Sequence, residues 1–199
     1  MDDAARAYYQ RRAPEYDDWW LGTGLFAERD RPGWDVERDE LCALLASLPP
    51  ARTLDVACGT GFLTRHLPGL VVGIDQSASM VAIAQARLPH GVALTGDALA
   101  LPFADGAFER LHAAHFLGHL EGADRERFLA EARRVAREVV VVDSALRDGV
   151  APEERQERVL GDGSRHEVYK RYFTAEELLR ELGGGQALYD GRWFVCAQS

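Results

Sequence analysis

Past Pro50 the chain alternates short apolar runs with stretches of helical spacing. Runs of strand character fall at Thr53–Ala57, Leu70–Ile74, Val92–Thr95, Phe108–Ala114 and Val139–Val142. Between them, Gly61–Leu67, Ser77–Leu88 and Asp124–Arg137 read as helices. The run Val139-Val140-Val141-Val142 is continuous rather than alternating. A strand of that kind is buried on both faces, as in a parallel sheet covered by helices. Upstream, Val36, Leu41, Leu44, Leu45 and Leu48 predict a helix from about Asp35 that Pro49-Pro50 stops. Residues 1–34 are rich in aromatics and charges, lack a strand-like run, and read as helical or irregular.

After Ser144 a polar stretch runs to about Tyr169 with no apolar period. Thr174-Ala175-Glu176-Glu177 then has the form of a capping box, opening a helix that Gly183-Gly184-Gly185 closes. Gln186–Tyr189 and Arg192–Ala197 flank Asp190-Gly191 and predict an antiparallel hairpin. Together these elements predict an α/β fold: a Rossmann-like, seven-stranded, mostly parallel sheet with helices on both faces and a C-terminal antiparallel hairpin. The 199 residues are expected to form one domain, since single cores grow to roughly 250 residues before they split.

Composition narrows the function. A net charge of −9 disfavours a general nucleic-acid binder, because phosphate backbones need clustered cations. No apolar run approaches the ~20 residues that span a bilayer, and the acidic start Met1-Asp2-Asp3 does not resemble a signal peptide. Cys42, Cys58 and Cys196 are widely spaced and odd in number, which suits reduced thiols in a cytoplasm better than a disulfide frame or a zinc site. The basic residues are all arginine except Lys170.

In open α/β sheets ligands bind at the carboxyl ends of the strands, where strand order reverses. The first strand runs into Leu54-Asp55-Val56-Ala57-Cys58-Gly59-Thr60-Gly61, whose glycines permit a tight turn and close approach of backbone to a ligand. The second ends in Gly73-Ile74-Asp75, a position from which a carboxylate accepts bonds from ribose hydroxyls. Asp75 has the alternative of capping the next helix, a role Ser77 already suits. After the third strand, Asp97 and the backbone of Ala98 suit an adenine edge, or Asp97 is an ordinary turn carboxylate. A dinucleotide fingerprint would place a third glycine where this chain has Thr64, and Asp55 would crowd a pyrophosphate.

The segments LDVACGTG, VVGIDQSASM and GDALALPFADGAFERL, in this order, resemble the class I S-adenosylmethionine-dependent methyltransferases. The likeness is to small-molecule enzymes similar to the ubiquinone/menaquinone-biosynthesis methyltransferases. The resemblance implies S-adenosylmethionine as cofactor, with Asp55, Gly59 and Gly61 at its methionine part. It places Asp75 at the ribose, Asp97 with Ala98 at the adenine, and Gln76 and Met80 along the adenosine. Ala57 and Thr60 belong to the same turn, and Ala57 stands where a glycine is frequent. The run Tyr8 to Trp20 looks like the family's Y-x-x-x-A-x-x-Y-D opening, so residues 1–34 are expected to form a lid over a core of residues 35–199, with Tyr16 at the site. Trp19 and Trp20 serve either the cofactor or simply the anchoring of that segment.

The fourth strand leads into His112-Ala113-Ala114-His115-Phe116-Leu117-Gly118-His119. His115, also expected beside the cofactor, is the first candidate for a general base and His119 the second, since imidazole suits proton removal near neutral pH. The competing reading makes His119 structural and leaves His115 to pack. No metal site is expected. The acceptor is expected to be a small molecule with an O, N or C nucleophile, and the protein a cytoplasmic monomer or homodimer without nucleic-acid or membrane partners. An RNA or protein methyltransferase and a non-catalytic S-adenosylmethionine-binding module are the alternatives. Arg147, Arg165, His166, Tyr169, Arg171 and Tyr172 are candidates for a substrate wall, and a cation among them facing the pocket would imply an acidic acceptor.

Overall fold

The computed structural model describes residues 3–199; the start of the acidic run, Met1-Asp2, lies outside the described residues. The chain opens with α1 (Asp3–Arg12) and the short α2 (Asp18–Leu21), then α3 (Trp34–Ser47), which ends at Leu48 before the two prolines. From there strands and helices alternate: β1 (Ala51–Val56), β2 (Gly69–Asp75), α4 (Ala78–Arg87), β3 (Val92–Thr95), β4 (Phe108–Ala114), α5 (Gly122–Val135) and β5 (Ala136–Ser144). A hairpin follows, β6 (Glu153–Val159) with β7 (Arg165–Arg171), then α6 (Ala175–Leu182), β8 (Gln186–Asp190) and β9 (Phe194–Gln198).

Seven strands form one sheet in the order β3-β2-β1-β4-β5-β9-β8. β1 to β5 are mutually parallel, and β9 runs antiparallel to both β5 and β8. Chain order reverses between β1 and β4, so their carboxyl ends open the crevice in which this architecture binds ligands. The valine run of β5 shows why the sheet is covered twice. Val139 and Val141 pack with Phe128, Leu129 and Leu178 of α5 and α6, whereas Val140 and Val142 pack with Leu41, Leu45 and Trp34 of α3.

Local rules set the element ends. The Ser77 hydroxyl accepts from Met80 N at the start of α4, and Thr174 and Glu177 complete the capping box of α6. Two segments differ from the sequence reading. Gly61–Leu67 forms only a turn and one 3-10 turn, Thr64–His66, because Gly59 and Gly61 sit at φ of 55° and 75°, outside the helical region. The polar stretch after Ser144 contains the β6–β7 hairpin, a separate two-stranded sheet. Its alternation pairs charged with polar residues, so no hydrophobic period marks it.

Candidate functional site

The tips of β1, β2, β3 and β4 surround a cleft of about 600 Å³ including its solvent mouth, roofed by Tyr9 and Tyr16 of the N-terminal segment. Its wall brings together Tyr16, Ala57, Gly59, Asp75, Gln76, Met80, Asp97, Ala98 and His115 from the sequence-based set. Tyr9, Gly96, Leu99, Ala114 and Phe116 join them. Tyr9 belongs to the aromatic opening run, and the others sit where the strand-tip rule would have pointed.

The β1 turn is built on left-handed backbone, with Ala57 at φ 55° and Gly59 at φ 55°. Gly61 also permits close packing, since a Cβ there would lie 3.2 Å from Ala84 Cα of α4. Gly59 N donates to Asp75 Oδ2 at 3.0 Å and Ser77 N to Asp75 Oδ1 at 2.9 Å. The Gln76 backbone also bonds this carboxylate, which still has lone-pair capacity for a ligand hydroxyl. Burial outweighs these backbone bonds and pushes Asp75 up to about 6. At the tip of β3, Asp97 Oδ1 accepts from Leu99 N at 2.9 Å, while Oδ2 has no hydrogen-bond partner among the described residues. That acceptor lies beside Ala98 on the cleft wall.

Four residues of the sequence-based set lie off this wall. Asp55 is buried beneath it, where Oδ1 meets His112 Nδ1 at 2.7 Å and Oδ2 accepts from the Thr64 hydroxyl. Thr60 donates its hydroxyl to Asp17, which also pairs with Arg87, and so ties the N-terminal segment to the glycine turn and α4. Gly61 packs on α4 as described. His119 lines an adjoining chamber and meets the Tyr169 carbonyl through Nδ1 at 2.6 Å.

His115 occupies a left-handed position, φ 51°, at the end of β4. Its Nδ1 is 3.3 Å from Ser144 Oγ, and its buried Nε2 has no hydrogen-bond partner. Trp19 and Trp20 meet the ring edge-on at 4.9 and 5.2 Å. Burial among them drives the His115 pKa down to about 3, so the imidazole is neutral at pH 7. His119 is likewise held down, chiefly by burial and then by Lys170 and Arg158. The two tryptophans divide the roles the sequence left open. Trp20 is buried and stacked on Phe62 as an anchor, whereas Trp19 lines the chamber beside His115.

Asp143 and Lys170 escaped the sequence analysis. Lys170 Nζ donates to Asp143 Oδ1 at 2.5 Å, and Asp143 Oδ2 accepts from Gly118 N at 2.8 Å. The pair fastens β7 to the tip of β5 and to the loop carrying His115 and His119. No local signal marks the pair, because Lys170 follows a polar stretch without apolar alternation and Asp143 meets it only in the folded protein.

Residues 54–140 match the family model described as a methyltransferase domain. With the strand order and the cleft, that match makes the chain similar to the class I S-adenosylmethionine-dependent methyltransferases. The chain is similar to demethylmenaquinone methyltransferase of Thermotoga maritima, at 38% identity over 109 residues, covering 52% of this chain and 47% of that one. The chain spans about half the length of the curated relatives it matches first. Among solved structures, DhpI in its SAH complex superposes with a TM-score of 0.73 at 25% identity, over 98% of this chain and 94% of that one. The DhpI-SAM-HEP complex gives 0.77 at 24% identity, over 98% and 95%.

Proposed function

We propose that this protein is an S-adenosylmethionine-dependent methyltransferase acting on an O, N or C nucleophile of a small molecule. The observation that carries this reading is the convergence of Gly59, Asp75, Asp97 and His115 on one cleft beneath an aromatic lid. When bound, S-adenosylmethionine supplies an electrophilic methyl group on a sulfonium. Asp75 would accept from its ribose hydroxyls, Asp97 and Ala98 would hold the adenine, and Gln76 and Met80 would flank it. The turn from Ala57 through Gly59 to Gly61, braced from below by Asp55 and tied to the N-terminal segment through Thr60, would shape the methionine end. Tyr16 would close the cleft and keep water from the reacting groups.

Alignment supplies most of the effect asked of such a site, up to ~7–11 kcal/mol. His115 and His119 are the proposed catalytic side chains. An imidazole held as low as His115 takes a proton only from an acidic nucleophile, so it serves first to position the acceptor through Nε2. The supporting features extend to a single domain of residues 1–199, with 1–34 as lid and 35–199 as core. No described helix is long and apolar enough to cross a membrane. We also infer a cytoplasmic monomer or homodimer without a nucleic-acid partner, on the ground of its acidic charge and reduced cysteines. Calorimetric titration tests the reading. S-adenosylhomocysteine is expected to bind at least tenfold tighter than NADH, and preference for NADH would overturn it.

A further inference from the structure

A second, larger cavity opens between the N-terminal segment and the β6–β7 hairpin, about 1660 Å³ including its solvent mouth. A smaller chamber joins it to the cofactor cleft. That chamber shares Tyr9, Tyr16 and His115 with the cleft, and Arg12, Trp19, Ser144, Arg158 and Lys170 with the cavity. The passage therefore leads from His115 into a space lined by cations.

Arg12, Arg29, Arg31, Arg147 and Arg158 line the cavity, and among the described residues none of them forms an ion pair with a carboxylate. Their partners are neutral. Arg12 donates to the Tyr8 phenol, Arg158 to Gln156 Oε1 at 2.7 Å, Arg31 to the Trp19 carbonyl at 2.9 Å and Arg147 to the Ala145 carbonyl at 3.3 Å. Arg29 stacks on the Phe26 ring. The acidic residues of the cavity are engaged elsewhere: Glu15 with Gly161 N, Glu154 with Tyr172 and Gln156, Glu157 with Arg165. Arg155 is neutralised by Glu121 and Glu167.

Two cations here are almost wholly buried, Arg12 at 4% and Lys170 at 3% exposure. Lys170 has Asp143, but Arg12 has no anion at all. The Arg12 guanidinium has the Tyr8 phenol as its hydrogen-bond partner and lies over the Tyr8, Tyr16 and Phe26 rings, whereas buried charges are ordinarily paired with an opposite charge. The positive charges also oppose one another. Burial first, then Arg158 and Arg12, lowers the Arg29 pKa. In a chain of net charge −9, this concentration of unpaired cations is local rather than a property of composition.

We propose that the chamber beside His115 is an oxyanion site, and that the methyl acceptor is a small acidic molecule whose phosphoryl-type or carboxylate group is held by Arg12, Arg158 and Lys170. Guanidinium forks suit both groups, since each presents paired oxygens for parallel hydrogen bonds. The anion site stands on these contacts alone; calling its occupant a methyl acceptor rests on the cofactor reading above.

The test is titration of the full chain, at constant ionic strength, with inorganic phosphate, methylphosphonate, acetate and, separately, S-adenosylhomocysteine. At least one oxyanion is expected to bind saturably, with methylphosphonate against acetate distinguishing the two chemistries. Arg158→Gln, on the hairpin surface, is expected to weaken that oxyanion at least tenfold while changing S-adenosylhomocysteine affinity less than twofold. Arg180→Gln, on the outer face of α6, leaves both unchanged. Absence of saturable binding by all three anions, or binding indifferent to Arg158→Gln, overturns the proposal. Loss of S-adenosylhomocysteine binding in the unaltered protein strikes the cofactor reading instead, so the two failures are separable.

Discussion

His112 Nδ1 and Asp55 Oδ1 lie 2.7 Å apart on adjacent parallel strands, in register and fully enclosed. The contact turns the acid of the glycine segment inward, where its second oxygen takes the Thr64 hydroxyl. Asp55 thus braces the turn that the cofactor would rest on, from beneath. Asp55→Ala is expected to orphan His112 and Thr64 together, at about 1–3 kcal/mol for each buried group left unsatisfied. The urea midpoint measures this, and an unchanged midpoint would remove the bracing role.

Asp75 gives the site a pH dependence. Its folded pKa of about 6 lies above the ordinary 3.8, so the folded apoprotein binds this proton more tightly than the unfolded chain does. The resulting stability is fully present below about pH 3.8 and is lost as pH rises through about 6. Ribose hydroxyls need the ionised form, so S-adenosylhomocysteine affinity is expected to rise between pH 5 and pH 7 with a midpoint near 6. Asp75→Asn should abolish that rise and weaken binding by ~1.5–3 kcal/mol. A dissociation constant flat across this range would contradict the assignment.

Ala57 holds a left-handed backbone, φ 55°, that costs a non-glycine residue ~1–2 kcal/mol. Glycine relieves that cost but frees the unfolded chain by ~0.4–1 kcal/mol. Ala57→Gly is therefore expected to stabilise the protein by up to about 1 kcal/mol, and Ala57→Val to destabilise it. Thermal unfolding of the two variants decides; a large loss on Ala57→Gly would mean that the methyl group packs.

Asp17 ties the N-terminal segment to Thr60 and Arg87, both bonds partly exposed. Asp17→Ala is expected to change global stability by less than about 1 kcal/mol, as partly exposed pairs do. It should nevertheless speed amide exchange across residues 5–34 and weaken cofactor affinity several-fold. Unaltered exchange in that segment would show that the tryptophan anchors hold it without Asp17.

The fold was legible because its evidence is periodic. Val139 to Val142 announced a strand buried twice, and the alternation of runs from Thr53 onward announced a parallel sheet. The strand tips then located Gly59, Asp75 and Asp97 by position alone. What escaped was whatever depended on partners distant in sequence. Asp55 and His112 are separated along the chain and meet only in the folded sheet. Thr60 looked like part of a ligand turn because nothing local betrays its bond to Asp17. The β6–β7 hairpin, rich in Glu and Arg, lacks the apolar alternation that reveals strands, and with it went Lys170 and the cationic wall around Arg158.

The central claim is that three strand tips hold one adenosyl compound beneath the N-terminal lid. A crystal structure with S-adenosylhomocysteine bound tests it most directly. Both ribose hydroxyls are expected within about 2.5–3.0 Å of the Asp75 carboxylate, with the adenine at Asp97 and the sulfur facing His115. A ligand seated outside this cleft, or with its ribose away from Asp75, would contradict the account.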